Sequence, residues 1–301
     1  MSRPLRRLRL LEDYTSWGAR AFERAGLHFG HGTDNAADDS FHLALSVLGW
    51  SPKHIQHHRS RVLSPAQGAK VLAAFRSRIK TRKPVAYLTG KAWFSGLRFT
   101  VDETVLIPRS PIAELIVDRF RPWLKQSPRS VLDLCAGSGC IGIVCAKSFQ
   151  DARVDLAEID VGALRVCNLN VRRYRLGRRV QAIQSDLFSA LENRRYDLIV
   201  SNPPYVPTVE WKNLPAEYRH EPRLALEAGR DGMDIVARIL ETAADHLNPG
   251  GTLVCEIGGS VPQFIKRFPR FPALWPEFEQ GGDGVFIISR EELRRWQRKR
   301  K

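Results

Sequence analysis

No stretch of this 301-residue chain approaches the run of about 20 apolar residues that a bilayer span needs. The first residues, MSRPLRRLRLLEDYTSW, are basic but hold no continuous apolar segment and no small-residue cleavage site, so no secretory leader is expected. Cysteine is scarce and unpaired by spacing. Cys135, Cys140, Cys145, Cys167 and Cys255 make an odd count of five, and none forms a CxxC pair. That usage reads as reduced thiols of a cytosolic protein and offers no structural zinc site. Acidic residues are in deficit. Against 47 Lys and Arg stand 32 Asp and Glu, a net charge of +15.

A field of that size favours polyanionic surroundings such as RNA or DNA. The charge is partly clustered, at Arg3 to Arg9, at Arg172 to Arg179 (RRYRLGRR) and in the tail Arg294 to Lys301 (RRWQRKRK). Each cluster is either a nucleic-acid contact or a solvated basic surface.

Residues 1–80 read as a small helical domain. Leu10, Leu11, Tyr14, Trp17, Ala21 and Phe22 recur at helical spacing, and Phe41, Leu45 and Leu48 share the face of a second helix beyond a break at 30–39. Ser64-Pro65 is an N-cap with proline at the first helical position, which predicts a helix through Ile79. His54, His57 and His58 have no acidic or cysteine partners in sequence and read as a solvated cluster rather than a metal site. Residues 81–111 predict a linking β-hairpin ending in the rigid IPRSP, with Trp93, Phe94, Leu97, Phe99 and Val101 in strands and Gly90 and Gly96 at turns.

Over residues 112–301 helix and strand alternate. Helices are expected at 112–123, 141–149, 163–175 and 233–247, and a turn at Asn248 to Gly251. Strands are expected at 130–134, 154–157, 180–184, 197–201, 252–257 and 286–289. Such alternation implies right-handed crossovers and an α/β fold, a mostly parallel sheet covered by helices on both faces.

The chemistry gathers at four strand ends. Asp133 to Gly139, DLCAGSG, joins the first strand to a helix; glycines let the backbone pass close to a ligand, and the helix start offers free N–H groups. The segment reads as different from the GxGxxG dinucleotide fingerprint, and no Walker lysine follows, so phosphate binding is not indicated; a packing turn is the plain alternative. Glu158 closes the next strand roughly 20 residues on, where an acid can accept from both ribose hydroxyls. Asp186, beside Leu187 and Phe188, closes the third, where it can accept from an adenine amino group; its plain alternative is a helix N-cap. The fourth strand stops at Asn202-Pro203-Pro204-Tyr205. Two prolines cannot continue a ladder, so an asparagine amide and several carbonyls are held rigidly at the carboxyl end of a strand, where open α/β sheets bind ligands.

Glycine loop, acid, acid and NPPY in that order resemble S-adenosylmethionine-dependent methyltransferases with a seven-stranded Rossmann-like sheet. NPPY narrows the resemblance to enzymes that methylate planar nitrogens. From about residue 80 onward, RKPVAYLTG, VLIPRSPIAELI, VLDLCAGSGCIGI, SDLFSAL, YDLIVSNPPYV, EYRHEPRLALEAGRDGMDIV, LNPGGTL and GVFIISREEL look, in register, like the protein glutamine methyltransferase family. That family has a branch for peptide-chain release factors, typically reading PRPxTE, and a branch for the large-subunit ribosomal protein L-three. PRSPIAELI, from Pro108 to Ile116, resembles the second.

The resemblance implies S-adenosylmethionine as cofactor, held by Asp133, Cys135, Ala136, Gly137, Ser138, Gly139, Glu158, Asp186, Leu187 and Asn202. It implies a glutamine substrate held by Asn202, Pro203, Pro204 and Tyr205, a large-subunit ribosomal protein as partner with ribosomal RNA contact through the basic patches, a cytoplasmic setting, and no membrane or metal. The helical region fits a substrate-recognition domain. The family usually has aspartate where Glu158 stands, so Asp160 is an alternative ribose holder. An amide nitrogen is a poor nucleophile because its lone pair is delocalised. The Asn202 side-chain oxygen and the Pro203 carbonyl would each accept one amide proton, Tyr205 would pack on the amide plane, and no general base is required. Glu221 and Arg223 in HEPR read as a structural salt bridge. Rival readings are the release-factor branch, an adenine methyltransferase of nucleic acid, which usually carries a separate target-recognition domain, and a non-catalytic RNA-binding module on the same fold.

Overall fold

The computed structural model describes residues 8–51, 55–279 and 281–300. By contact the chain forms two units. One runs to Ala92 and takes in Pro215–His220; the other is Trp93–Leu214 with the chain from Glu221 onward.

The first unit is helical: α1 (Leu11–Arg24), α2 (Ala36–Leu48), α3 (Ile55–Arg59), α4 (Pro65–Thr81) and α5 (Val85–Thr89). The Ser64 start is a full capping box. Ser64 Oγ accepts from the Gln67 N–H at 3.3 Å, and the Ser64 N–H donates to Gln67 Oε1 at 3.0 Å. Leu11, Phe22, Leu43, Val71 and Phe75 form the core. A buried ion pair crosses it, Arg78 Nε to Asp39 Oδ2 at 3.0 Å, and Arg78 donates further to the carbonyls of Arg82 and His28, so each of the three guanidinium nitrogens has a partner. Of the three histidines, His54 lies outside the described residues. His57 is exposed, but His58 is not solvated as expected: its ring stacks on Trp50 and Nε2 lies 3.0 Å from the Ser51 carbonyl. Pro215–His220 packs here because Glu217, fully buried, receives the Arg82 guanidinium at 2.7 Å and the His28 N–H at 3.1 Å.

The linking hairpin forms as its glycines require. Strands β1 (Lys91–Phe94) and β2 (Leu97–Thr100) turn through Ser95 and Gly96, with φ of 47° and 72°. The second unit then adds, in chain order, α6 (Ile112–Val117), β3 (Ser130–Leu134), α7 (Cys140–Ser148), β4 (Arg153–Glu158), α8 (Val161–Arg173), β5 (Val180–Gln184), β6 (Tyr196–Ser201), α9 (Thr208–Asn213), α10 (Asp234–Thr242), β7 (Leu247–Glu256), α11 (Val261–Arg267), β8 (Val285–Ser289) and α12 (Arg290–Arg298). The sheet order is β5-β4-β3-β6-β7-β8, parallel except for β8. Successive strand residues feed opposite faces. Val131 and Leu198 join Ile112, Ile116 and Ile143 in one core; Leu132 and Ile199 join Ile239, Leu240 and Leu293 in the other.

Three expectations need correction. The described residues give six strands in this sheet, not seven. The seventh place beyond β8 is held by Leu274 alone, which exchanges both backbone hydrogen bonds with Ile287, at 3.0 and 2.9 Å. Pro269, Pro272 and Pro276 flank it, and each lacks a ladder N–H. The helix expected at 112–123 stops at Val117, because Arg119 and Phe120 take φ of 56° and 53° to turn the fully buried Phe120 ring inward. The helix expected to reach Leu247 stops at Thr242, and Asn248 to Gly251 lies within β7 as a register shift between Leu247 and Thr252 rather than as a free turn.

Candidate active site

A cavity of about 430 Å³ opens at the carboxyl ends of β3, β4, β5 and β6, a size suited to a small-molecule site. Cys135, Ala136, Gly137, Ser138, Glu158, Asp186, Leu187, Asn202 and Pro204 line it, so most residues singled out from sequence are brought together there. Asp133, Gly139, Pro203 and Tyr205 are not among the lining residues.

The three glycines of GSGCIG divide the work. Gly137 has φ +54°, and a Cβ there would meet nothing within 4 Å, so the bare backbone faces open space. Gly142 lets α7 sit on β4; a Cβ would lie 2.1 Å from Leu156 Cδ2. These glycines have the GxGxxG spacing of dinucleotide folds, which corrects the reading that set the segment apart from that fingerprint: its third glycine, Gly142, lies past Gly139 inside the helix and takes the helix–strand packing role known there. Asp133 ties the loop from beneath: Oδ2 accepts the Gly142 N–H at 2.7 Å, while the buried Oδ1 has no partner among the described residues. Burial pushes its carboxyl up to about 7.

Glu158 is held by backbone alone. Oε2 accepts the Gly137 N–H at 2.8 Å, and Oε1 accepts from Ile159 and Asp160 at 2.9 and 3.0 Å. Burial raises its pKa, and the three N–H groups work against that rise. Asp160, the alternative acid, also lines the cavity, but its Oδ1 caps α8 through the Ala163 N–H at 2.8 Å. Asp186 forms an ion pair with Arg238 at 2.8 Å, with both side chains about half exposed.

Ser201 fixes the start of NPPY by donating to the Leu134 carbonyl at 2.7 Å. The next two groups are unclaimed: neither the Asn202 side chain nor the Pro203 carbonyl has a hydrogen-bond partner among the described residues. Tyr205 is turned toward β7. Its hydroxyl donates to Glu256 Oε1 at 3.3 Å, its ring lies so close to Gly258 that a Cβ there would be 2.7 Å from the hydroxyl, and its carbonyl accepts from Ser260 Oγ at 2.8 Å. Burial, then Glu256, holds the phenol well above its ordinary pKa. Burial also pushes Glu256 up to about 7, while hydrogen bonds from Ser110 and Tyr205 pull the other way.

Sequence reasoning missed one wall of the cavity. Thr104, Val105, Leu106, Pro108, Arg109 and Ser110, from the linker, line it. Arg109 makes a two-pronged ion pair with the buried Glu221, at 2.5 and 2.7 Å, and Glu221 Oε1 also accepts the Ile107 N–H at 3.1 Å. The expected Glu221–Arg223 bridge is not among the ion pairs of the described residues. Arg223 pairs instead with Glu227 and covers the Trp211 ring at 4.5 Å. IPRSP was the available signal, since a rigid segment between two regular elements has to be held by something.

The observed groups fit the cofactor expected from sequence: a bare glycine turn, a strand-end carboxylate, a second acid with Leu187 beside it, and apolar walls from Ala136 and Ile141. Comparison with known proteins agrees. The methyltransferase small domain matches residues 113–215, and the PrmC N-terminal domain matches residues 14–90. A ribosomal protein uL3 glutamine methyltransferase of Francisella tularensis subsp. tularensis is 41% identical over 95% of this chain and 92% of its own. One of Xylella fastidiosa is 45% identical over 95% of this chain and 92% of its own. Among solved structures, the hMettl16 catalytic domain in complex with MAT2A 3'UTR hairpin 1 superimposes with a TM-score of 0.50 at 16% identity, over 83% of this chain and 90% of that one, a likeness of fold.

Proposed function

The chain belongs to the family of ribosomal protein uL3 glutamine methyltransferases, and from that membership we propose that it methylates the side-chain amide nitrogen of a glutamine in the large-subunit ribosomal protein uL3, in the cytoplasm. S-adenosylmethionine is the methyl donor; when bound, it supplies an electrophilic methyl on a positively charged sulfur.

The single observation carrying this reading is the pair of unclaimed acceptors at the strand end, the Asn202 amide oxygen and the Pro203 carbonyl. A substrate amide offers two protons, one for each. As its nitrogen becomes cationic those bonds strengthen, so the same contacts orient the nucleophile and stabilise the transition state. Pro203 and Pro204 keep the acceptors from relaxing away. Tyr205 supports the loop from behind through Glu256 and Ser260. No side chain has to take a proton before transfer. The glycine turn, Glu158 or Asp160, and Asp186 with Leu187 are the groups proposed to hold the cofactor. The helical unit is proposed to recognise the substrate protein. The net charge of +15 supports a contact with ribosomal RNA beside that substrate.

The test offers isolated uL3 and isolated release factor to the purified chain with labelled cofactor. Label on a uL3 glutamine is expected, and label on the release factor alone overturns the substrate. Asn202→Ala is expected to bind cofactor nearly as the parent does and to lose roughly 10²–10³ in turnover. Equal loss of binding and turnover would remove Asn202 from the chemistry.

A further inference from the structure

We propose that the amino edge of the sheet is a phosphate-backbone docking surface for RNA, separate from the methyl-transfer cavity at the carboxyl edge. It deepens the RNA contact proposed above by giving it a place, and its test does not depend on the identity of the protein substrate.

The surface is built by the strand register. The Arg153 N–H donates to the Arg129 carbonyl at 2.9 Å, and the Val154 N–H donates to the Arg179 carbonyl at 2.8 Å. Arg129, Arg153 and the pair Arg178-Arg179 are therefore neighbours on three adjacent strands, about 4.8 Å apart per strand. Helix α8 ends at the same edge, with the Arg175 N–H bonded to the Arg172 carbonyl at 3.0 Å. Lys147 joins them, its ammonium 5.5 Å from the Tyr174 ring centre.

Arg129, Arg153, Arg172, Arg173, Arg175 and Arg178 are all exposed, and none has an ion-pair partner among the described residues. Arg179 shows what an arginine with a structural task does here: its guanidinium turns inward to the carbonyls of Phe149 and Ala152 at 3.2 and 3.1 Å and of Ala146, closing the end of α7. Arg173 hydrogen-bonds the Tyr174 side chain, and the other five have no such task among the described residues. Asp151 and Asp155 lie two residues either side of Arg153; Asp151 is exposed, Asp155 is taken up by Arg194 at 2.9 Å and by the Tyr196 hydroxyl, and Asp197 is taken up by the backbone N–H groups of Arg129 and Ser130. Like charge gathered on one edge makes a local positive field that attracts a polyanion.

The chemistry favours phosphate. A guanidinium fork matches two phosphate oxygens, and the edge carries six such forks against one ammonium. A membrane surface fits less well, because no large exposed hydrophobic side chain lies at 150–154 or 170–180. Arg153 and Glu158 stand at opposite ends of β4, roughly 16 Å apart at strand rise. RNA on this edge therefore leaves the cavity clear and raises the local concentration of an RNA-associated protein substrate.

The experiment titrates a labelled RNA hairpin with the full chain across a salt series, using Arg153→Gln/Arg172→Gln/Arg178→Gln as a neutral, fold-sparing variant and the same three changes to Glu as a stronger one. The parent should bind with a steep salt dependence. The glutamine variant should lose at least about tenfold in affinity and show a log–log slope shallower by about three. Its methylation of isolated substrate should stay at the parental rate. RNA affinity and slope unchanged in both variants would overturn the proposal. So would polyglutamate or anionic phosphatidylserine vesicles displacing the hairpin at lower charge concentration than unlabelled RNA does.

Discussion

Tyr205 donates its hydroxyl to Glu256, on the neighbouring strand β7, at 3.3 Å, and the other oxygen of Glu256 accepts from Ser110 of the linker. One buried carboxylate thus holds both NPPY and the segment that walls the cavity. The consequence for Tyr205→Phe is specific. The fold keeps its ring packing, but one neutral-to-acid hydrogen bond is lost, about 1 kcal/mol. Turnover should fall about fivefold while cofactor affinity, read by calorimetry, stays at the parental value. A matched fall in affinity would mean that Tyr205 shapes the cofactor site instead of the Asn202 loop.

Gly137 and Gly142 predict opposite failures. In Gly137→Ala the new methyl meets open space, but φ +54° costs a residue with a side chain about 1 kcal/mol, and the methyl projects where the cofactor must approach. Affinity for S-adenosylmethionine should fall by at least tenfold with a small loss of thermal stability. In Gly142→Ala the methyl collides with Leu156 and with Asp133, so the protein should lose about 2–3 kcal/mol in denaturant unfolding. If Gly142→Ala binds more weakly yet unfolds as the parent does, the packing assignment is wrong.

The parts legible in sequence were those written locally. Ser64-Pro65 announces its helix through capping chemistry, and Asn202-Pro203-Pro204 announces a strand end because proline cannot continue a ladder. The four strand ends were legible as a site because parallel βαβ topology brings carboxyl ends together. What escaped was non-local. Arg109 and Glu221 are 112 residues apart and meet only after folding, so HEPR suggested a nearer partner. Phe120 reads as one more apolar residue of a helix until the core claims its ring and forces Arg119 and Phe120 to positive φ. The seventh strand was expected by family likeness, and the prolines around Leu274 argued against it in plain view.

Asp133 and Glu256 give the fold a pH dependence with a defined sign. Burial raises both carboxyls to about 7 from 3.8 and 4.5. The folded protein therefore holds protons that the unfolded chain has released. This contribution is fully present below about pH 4 and is lost as pH rises through about 7. In Asp133→Asn an amide oxygen still accepts the Gly142 N–H, and one of the two titrations disappears. The decline in melting temperature of the cofactor-free protein across that window should be shallower in the variant. Parallel curves would show that Asp133 is not protonated in the native state.

Glu158 and Asp160 compete for one role, and their hydrogen bonds make the competition decidable. Asp160 spends Oδ1 on the cap of α8, a task asparagine performs as well as aspartate. Glu158 spends its oxygens on Gly137, Ile159 and Asp160 N–H groups around the glycine turn, so its carboxylate already sits beside the backbone that faces the cavity. A ribose diol arriving there meets a pre-oriented acceptor with lone pairs to spare. Glu158→Gln should weaken cofactor binding by about 10- to 100-fold, the loss of one or two charge-assisted hydrogen bonds, with stability near the parent. Asp160→Asn should change affinity by less than about threefold. Calorimetric titration of each variant with S-adenosylhomocysteine reads both outcomes, and a larger loss in Asp160→Asn than in Glu158→Gln would transfer the ribose to Asp160.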